Sequence, residues 1–541
     1  MKNNYLLALL SAFLLWLAWP PIPYSSPLLF IAFIPLLLAI ERIINDNKLE
    51  KKGRKVYLTA GVTALIWNTA SIYWVYNSIA SIMPWYIAFL ISLIPFCLGA
   101  SLMALAFRLY YQLRKKYSLA WSLLGLTGFW ITYEYLHQSW DLAFPWMTLG
   151  NGFANFHQLI QWYEYTGVYG GSFWILTINF LLFYWYTHRK SAKLWLKIVT
   201  ISWVILPIGY SILRYTNYEE AVNPAQIVVV QPNIDPYGKF GGISPNEQLQ
   251  TLMRLSKSVA KSNTEFFIWP ETAISSSSYI DEEVYRDADS YKQVLTFLED
   301  YKNGNVLSGI ESVRFYKDQE TPTARPIEGR YVDAFNAAVL IDDSSILQFY
   351  HKSKLVPGVE QTPFGSALSF IAPLFKAFGG TTGGYGKQSE PSVFYARSGI
   401  GAAPVICYES IWGNYVADYV AQGAQFIAII TNDGWWGNTS GKDQHLQYAR
   451  LRAIETRRWV ARSANTGISA TINQRGDIIQ QTTWWNEAAL AQEINLNEHI
   501  TPYTKVGDIT AFAGLFIAFI TLLSLLLKRN TDTQKPDIKK V

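Results

Sequence analysis

Four apolar runs in the C-terminal part of the chain stop at a polar residue of reactive type. Glu271 follows "FFIWP", Lys352 follows "LQFYH", Cys407 follows "APVI", and Asn432 with Asp433 follows "AIIT". Open α/β sheets carry their sites at the C-terminal ends of strands. A single polar strand end means little, because strands must stop somewhere, but a carboxylate, an ammonium and a thiol together can do acyl transfer through a thioester. A thiol is a nucleophile only as thiolate, so it needs a base or a nearby cation. The C-terminal region holds His351, His445 and His499, and none lies in a setting that suggests a Cys–His pair. Glu271, in a partly dry pocket, is therefore the candidate base. Lys352 is placed to favour the thiolate and to stabilise an oxyanion, and the backbone N–H after the nucleophile is a natural second donor. Taken singly, each residue also has an ordinary explanation: a solvated strand end, a surface lysine, a small buried hydrophobe.

The elements that would position these residues alternate between strand and helix. "AQIVVVQPN" reads as a buried strand, Asn246 to Ser262 as helix, "EFFIWPET" as a short strand, Asp281 to Tyr301 as helix and "NVLSGIES" as strand. "AFNAAVLID" and "SSILQFYHK" form a hairpin around "DDSS". "GAAPVICYES" is a strand, Ile411 to Gln422 a helix, and "AQFIAIITNDGWWGN" a strand entering a Gly-rich turn. Asp443 to Ala461 reads as a long helix, and "SANTGISATINQRGDIIQ" as another hairpin. This is an α/β region long enough for one large core. "DQETPTARPIEGR", Asp318 to Arg330, reads as an exposed insertion.

The rest of the chain is of another kind. Half of the residues are hydrophobic and 16% are charged, against roughly 25% charged in an average soluble domain. The apolar excess lies before about residue 215 and after 508. A span needs about 20 apolar residues. Asn3 to Ile40 is uncharged and broken by Pro20, Pro21 and Pro23, which makes two short spans; Val56 to Phe107 makes two more. Tyr117 to Leu136, Tyr165 to Thr187, Ile198 to Leu213 and Ile509 to Leu527 bring the expected total to about eight. Lys and Arg cluster in alternate loops: Arg42 to Lys55, Arg108 to Lys116, Arg189 to Lys197 and the tail from Lys528. By the positive-inside rule those loops and both termini are cytoplasmic, and the α/β region lies on the outer face. The expected division is residues 1–214 as a helical membrane bundle, 215–505 as the outer domain, and 506–541 as a final span with a tail.

The outer segment Asp141 to Gly171 has no Lys or Arg and is aromatic, and reads as an interfacial belt or as a floor under the outer domain. Two cysteines build no disulfide framework, and Cys97 in "IPFCLGA" is a filler of an apolar run. The net charge of +5 is modest, and no nucleic-acid partner, metal or cofactor is expected. A polytopic transporter would carry charged groups inside its spans; apart from Glu134 near the end of one span there are none.

"WPET", "YHKSKLVPGVE" and "ICYES", in this order, resemble the Glu–Lys–Cys motifs of the nitrilase superfamily of carbon-nitrogen hydrolases, which fold as an αββα sandwich. With the spans, and with "FPWMTLGN", "GVYGGSFW", "VVVQPNI", "TNDGWWGN" and "RAIETRRWVARSANTGISATINQRG", nearly the whole chain resembles the apolipoprotein N-acyltransferase family. The resemblance implies Glu271 as general base, Lys352 as oxyanion-stabilising lysine and Cys407 as nucleophile, with Glu360, Tyr408 and Glu409 in support. It implies a ping-pong reaction: an acyl chain passes from a phospholipid, typically phosphatidylethanolamine, through a Cys407 thioester to the α-amino group of a lipoprotein's diacylglyceryl-cysteine. It further implies a monomer in the bacterial cytoplasmic membrane with a periplasmic catalytic domain. Phe240, Phe144, Trp146, Asn432, Trp435 and Trp436 are the substrate-binding candidates. "KLVPGVE" departs from the family's common "HLVPFGE", and Phe240 stands where a tryptophan is common. A membrane-anchored amidase or nitrile hydrolase with the same triad is the alternative.

Overall fold

The computed structural model describes residues 2–189, 193–236, 242–361, 363–364 and 384–527. Phe240, Lys190 and the basic tail from Lys528 lie outside them.

The N-terminal region is helical: α1 (Lys2–Leu17), α2 (Ile34–Asn45), α3 (Lys52–Ile72), α4 (Trp74–Ala80), α5 (Trp85–Arg114), α6 (Leu119–Leu136), α7 (Tyr163–Thr187) and α8 (Leu194–Asn217). Another apolar helix, Ile509–Leu527, packs back against α6. Gly128 makes that contact close, since a Cβ there would stand 2.7 Å from the Ala518 backbone nitrogen. Among the described residues, five segments are long and apolar enough to cross a membrane: Ser26–Asn45, Trp85–Arg114, Tyr163–Thr187, Leu194–Asn217 and Ile509–Leu527. Asn179 stitches the bundle, donating to the carbonyls of Leu29 and Ile175 at 2.7 and 2.8 Å and accepting from the Phe33 N–H at 2.9 Å.

Two sheets stack in the C-terminal region. The first has the order β13-β1-β2-β3-β5-β4 with β6 also paired to β5. Its strands are β1 (Pro224–Gln231), β2 (Thr264–Ile268), β3 (Asn305–Tyr316), β4 (Arg325–Ile327), β5 (Arg330–Ile341), β6 (Gln348–His351) and β13 (Ala488–Asn495). The second has the order β12-β11-β10-β9-β8-β7. It is built from β7 (Phe394–Tyr395), β8 (Gly401–Ile406), β9 (Phe426–Thr431), β10 (Val460–Ala464), β11 (Ala470–Ile472) and β12 (Ile478–Gln481).

Strand periodicity explains the layers, because alternate side chains face opposite ways. Ile227, Val229, Phe266 and Ile268 share a core with Val405, Ile427 and Ile429 of the other sheet, and the Phe266 and Phe426 rings meet edge-on at 5.0 Å. Val228, Val230, Phe267 and Val306 turn outward onto Leu252 and Leu255 of α9 (Pro245–Val259) and Val294 and Phe297 of α10 (Asp289–Leu298). The helices Gly413–Ala421 and Ser440–Thr456 cover the second sheet. This is the expected αββα sandwich.

Two expected helices end elsewhere. The run from Asp281 forms α10 only from Asp289, because Asp281 bridges to Val313 and Glu282 accepts from Ser312, Arg314 and His351 at the sheet edge. The helix expected through Ala461 stops at Thr456. Arg457 turns left-handed (φ 52°), its side chain binds Glu164 and Gln161, and Ala461 enters β10.

Candidate active site

Each reactive side chain sits where a strand gives way to a turn. Glu271 follows β2. β3 can pass directly behind it because Gly309 has no side chain: a Cβ there would lie 2.4 Å from the Thr272 nitrogen and 2.6 Å from Glu271 Cα. The Gly309 N–H donates to the Pro270 carbonyl (3.1 Å) and the Ile274 N–H to the Gly309 carbonyl (3.0 Å). Lys352 is the first residue after β6, and its N–H donates to the Asn336 carbonyl on β5 (2.9 Å). Cys407 is the first residue after β8, with a φ of 50°, in the left-handed region that non-glycine residues hold only under structural constraint.

The polar groups converge. Lys352 Nζ donates to Glu271 Oε1 at 3.0 Å and to Glu360 Oε1 at 2.8 Å. Asn336 Nδ2 donates to the same two oxygens, each at 2.8 Å. The Val356 N–H holds Glu360 Oε2 at 2.7 Å. Lys352 is 1% exposed and Cys407 8%. An ammonium has three protons; two go to the carboxylates, which leaves a third for a developing oxyanion.

The electrostatics hold the thiol protonated at rest. Burial pushes the Cys407 thiol up most, the Glu271 charge pushes further, and Lys352 pulls down. For Lys352, the Glu271 and Glu360 charges outweigh burial and hold the ammonium well above its ordinary range. Moving the thiol proton onto Glu271 conserves the charge of the cluster and places the negative charge on sulfur beside the lysine. An arrangement of this kind can supply a nucleophile by internal proton transfer rather than by a standing thiolate.

The supporting residues have definite contacts. Glu409, fully buried, accepts on Oε1 from Tyr350 Oη (2.6 Å), the Ser353 N–H (2.6 Å) and the Lys354 N–H (3.2 Å), and on Oε2 from the Ile406 N–H (2.9 Å). It therefore ties the turn after Lys352 to the turn at Cys407. Tyr408 donates to the Ala143 carbonyl at 3.0 Å and stacks parallel to Trp146.

Trp146 is the centre of an aromatic joint between the helical region and the sandwich, touching Trp74, Phe144, Trp436, His445 and Tyr448. Its indole N–H donates to Gln444 at 2.7 Å, and Gln444 in turn donates to the carbonyls of Pro20 and Ser71. Trp146 is fully buried, so it packs the joint instead of lining an open surface. Asn432 is buried and accepts from Asn465 and Thr466, while Trp435 is 37% exposed. The aromatic segment Asp141 to Gly171 thus packs under the sandwich as a floor. Below the sandwich, Arg457 binds Glu164 at 2.7 Å, and Glu164 also binds Arg214 of α8 at 2.8 Å.

Sequence reasoning missed Asn336 and Gly309. Asn336 is a lone amide within "AFNAAVLID", and its only signal is that an amide in an apolar strand needs partners. Among the described residues no histidine ring is hydrogen-bonded to the Cys407 thiol. His445, however, lies 3.2 Å from the Cys407 backbone oxygen, a contact that helix periodicity does not reveal.

Comparisons with known proteins cover nearly the whole chain. Residues 11–181 match the model of the apolipoprotein N-acyltransferase N-terminal domain, and residues 226–501 that of carbon-nitrogen hydrolase. An apolipoprotein N-acyltransferase of Chlorobaculum tepidum is 30% identical, covering 98% of this chain and 98% of its own. One from Geobacter metallireducens is 30% identical over 95% of this chain and 93% of its own. Among solved structures, an amidase from Nesterenkonia sp. aligns with 55% of this chain and 98% of its own at 14% identity, with a TM-score of 0.36, a likeness too slight to argue from.

Proposed function

The chain belongs to the apolipoprotein N-acyltransferase family, and from that premise we propose how its own residues carry the reaction. It is an acyltransferase that completes lipoprotein maturation, taking an acyl chain from a phospholipid and placing it on a lipoprotein. In the first half-reaction Glu271 takes the Cys407 proton and the thiolate attacks the ester carbonyl of the donor. The oxyanion meets the third Lys352 proton and the Tyr408 N–H. Collapse breaks the ester C–O bond, Glu271 returns the proton to the departing glycerol oxygen, and a lysophospholipid leaves. In the second half the α-amino group of the diacylglyceryl-cysteine attacks the thioester. Glu271 takes a proton from that nitrogen, the C–S bond breaks, and the thiolate recovers its proton.

Glu360 and Asn336 hold Lys352 and Glu271 in register, Glu409 joins the two turns, and Tyr408 seats the nucleophile on the aromatic floor. Phosphatidylethanolamine is the donor in this reading. Residues 215–505 work on the periplasmic side of the bacterial cytoplasmic membrane, held by residues 1–214 and 506–541 in about eight spans, and the protein acts as a monomer. Both substrates keep their reactive groups at the membrane surface, so a tethered domain over an aromatic floor suits them; Phe144, Trp435 and Trp436 border the path of the acyl chains.

The observation that carries the reading is Lys352 bridging Glu271 and Glu360 within electrostatic reach of Cys407. Cys407→Ser tests it. The variant is expected to keep the wild-type unfolding temperature in detergent and to lose acyl transfer. Unfolding of the variant, or transfer at the wild-type rate, would show a packing residue instead.

A further inference from the structure

Behind the thiol lies a buried polar chain that the reaction above does not use. The Cys407 carbonyl accepts from Ser410 Oγ at 2.8 Å and lies 3.2 Å from His445 Nε2, which is itself 2.8 Å from Ser410 Oγ. On the other side of the ring, Nδ1 is 2.9 Å from Asp433 Oδ1 and 3.0 Å from Arg462 Nη2. Arg462 pairs with Asp433 Oδ2 at 2.5 Å, and Thr431 donates to Asp433 Oδ1 at 2.9 Å. Ser410, Asp433, His445 and Arg462 are all fully buried.

A carbonyl only accepts, and Ser410 spends its single proton on that carbonyl. Whichever of Asp433 and Arg462 partners Nδ1, the Cys407 oxygen and Ser410 Oγ both call for a proton on Nε2. The Cys407 carbonyl and the Tyr408 N–H belong to one planar trans peptide, so holding the oxygen fixes the direction of the N–H. A donor on the oxygen also polarises the unit and strengthens its N–H as a donor. The Tyr408 N–H stands in the first turn of the short helix Cys407–Ile411, where an N–H has no partner within its own helix. The left-handed φ of Cys407 needs such an anchor to persist.

We propose that Asp433, His445 and Ser410 are positioning residues for acyl transfer, holding and polarising the Cys407–Tyr408 peptide so that the Tyr408 N–H meets the oxyanion. This rests on Cys407 being the nucleophile. His445 also packs beside Trp146 and Trp436, at 5.8 and 5.3 Å between ring centres, and a packing role alone predicts different results.

The test uses the full chain in detergent with Cys97→Ala, so that carbonyl-13C cysteine labels Cys407 alone. Acylation by phospholipid is followed in single turnovers, together with the infrared band of the labelled carbonyl. His445→Phe keeps bulk and removes the donor. It is expected to lower the acylation rate constant about 10- to 100-fold, to leave the half-saturating phospholipid concentration unchanged, and to move the band to higher frequency. His445→Gln restores a donor and recovers part of both. Folded His445→Phe that acylates at the wild-type rate, or with an unmoved band, overturns the proposal. If His445→Phe does not fold, Ser410→Ala removes one donor and leaves the ring. It must slow acylation and shift the band, and wild-type behaviour in it overturns the proposal equally. Failure of the starting protein to acylate on Cys407 would bring down the nucleophile assignment and the relay with it; acylation that is normal in all variants brings down the relay alone.

Discussion

Cys407 is buried within reach of the Glu271 charge and the Lys352 ammonium, and burial first, then those two charges, decides how its thiol behaves. Burial and the Glu271 charge raise the thiol, and Lys352 lowers it. Replacing Glu271 by Gln removes a charge that opposes the thiolate and leaves Lys352 fewer anions to neutralise. In a Cys97→Ala background, the pH midpoint for alkylation of Cys407 is therefore expected to fall in Glu271→Gln, while thioester formation from phospholipid is lost. A midpoint that rises would contradict the charge assignment. At this scale the residues read from the sequence were those that end apolar strands: Glu271, Lys352 and Cys407. Glu360 follows the altered "PGVE" loop, and its Oε1 is 2.8 Å from Lys352 Nζ. Asn336 and His445 were not read. Asn336 meets carboxylates 24 and 65 residues away in sequence and His445 the Cys407 carbonyl 38 residues away, and neither makes a local pattern.

Strand and helix assignments followed from apolar runs and turn chemistry, and they located the sandwich correctly. Errors came where a charged residue found a distant partner. Glu282 was drawn to Ser312, Arg314 and His351, and Arg457 to Glu164, and each cost a helix its expected end. The edge strands β4, β7 and β13 were unread, since short or half-exposed strands show little periodicity. The close pass of β3 behind Glu271 is the most demanding feature at this scale. Gly309→Ala places a methyl against the Thr272 nitrogen and Glu271 Cα, so overpacking is expected to cost about 1–3 kcal/mol. Displacing Glu271 by about 1 Å is expected to lower the acylation rate on the order of 100-fold. Denaturant unfolding and single-turnover acylation measure the two effects; full activity would show that β3 has room to retreat.

The whole molecule is a sandwich seated on an aromatic floor that apolar helices carry. Composition made that division legible, because charge is scarce before about residue 215 and after 508. The aromatic floor was one of two readings of Asp141 to Gly171, but the contacts that join it to the sandwich through Gln444 and Arg457 were not legible, since each of those two residues looks ordinary alone. The basic loops predict sidedness: in a protein without Cys97 and Cys407, a cysteine at Gln319 should react with an impermeant maleimide added to intact cells whose outer membrane is permeabilised. A cysteine at Lys51 should react only after lysis, and the reverse pattern would invert the topology. The central claim is acyl transfer through Cys407, and mass spectrometry of the intact protein incubated with phospholipid tests it most directly. A mass increase of one acyl chain is expected on Cys407, stable in water and discharged by a peptide bearing an N-terminal diacylglyceryl-cysteine. An unmodified Cys407, or an adduct that water discharges as fast as the peptide, would contradict it.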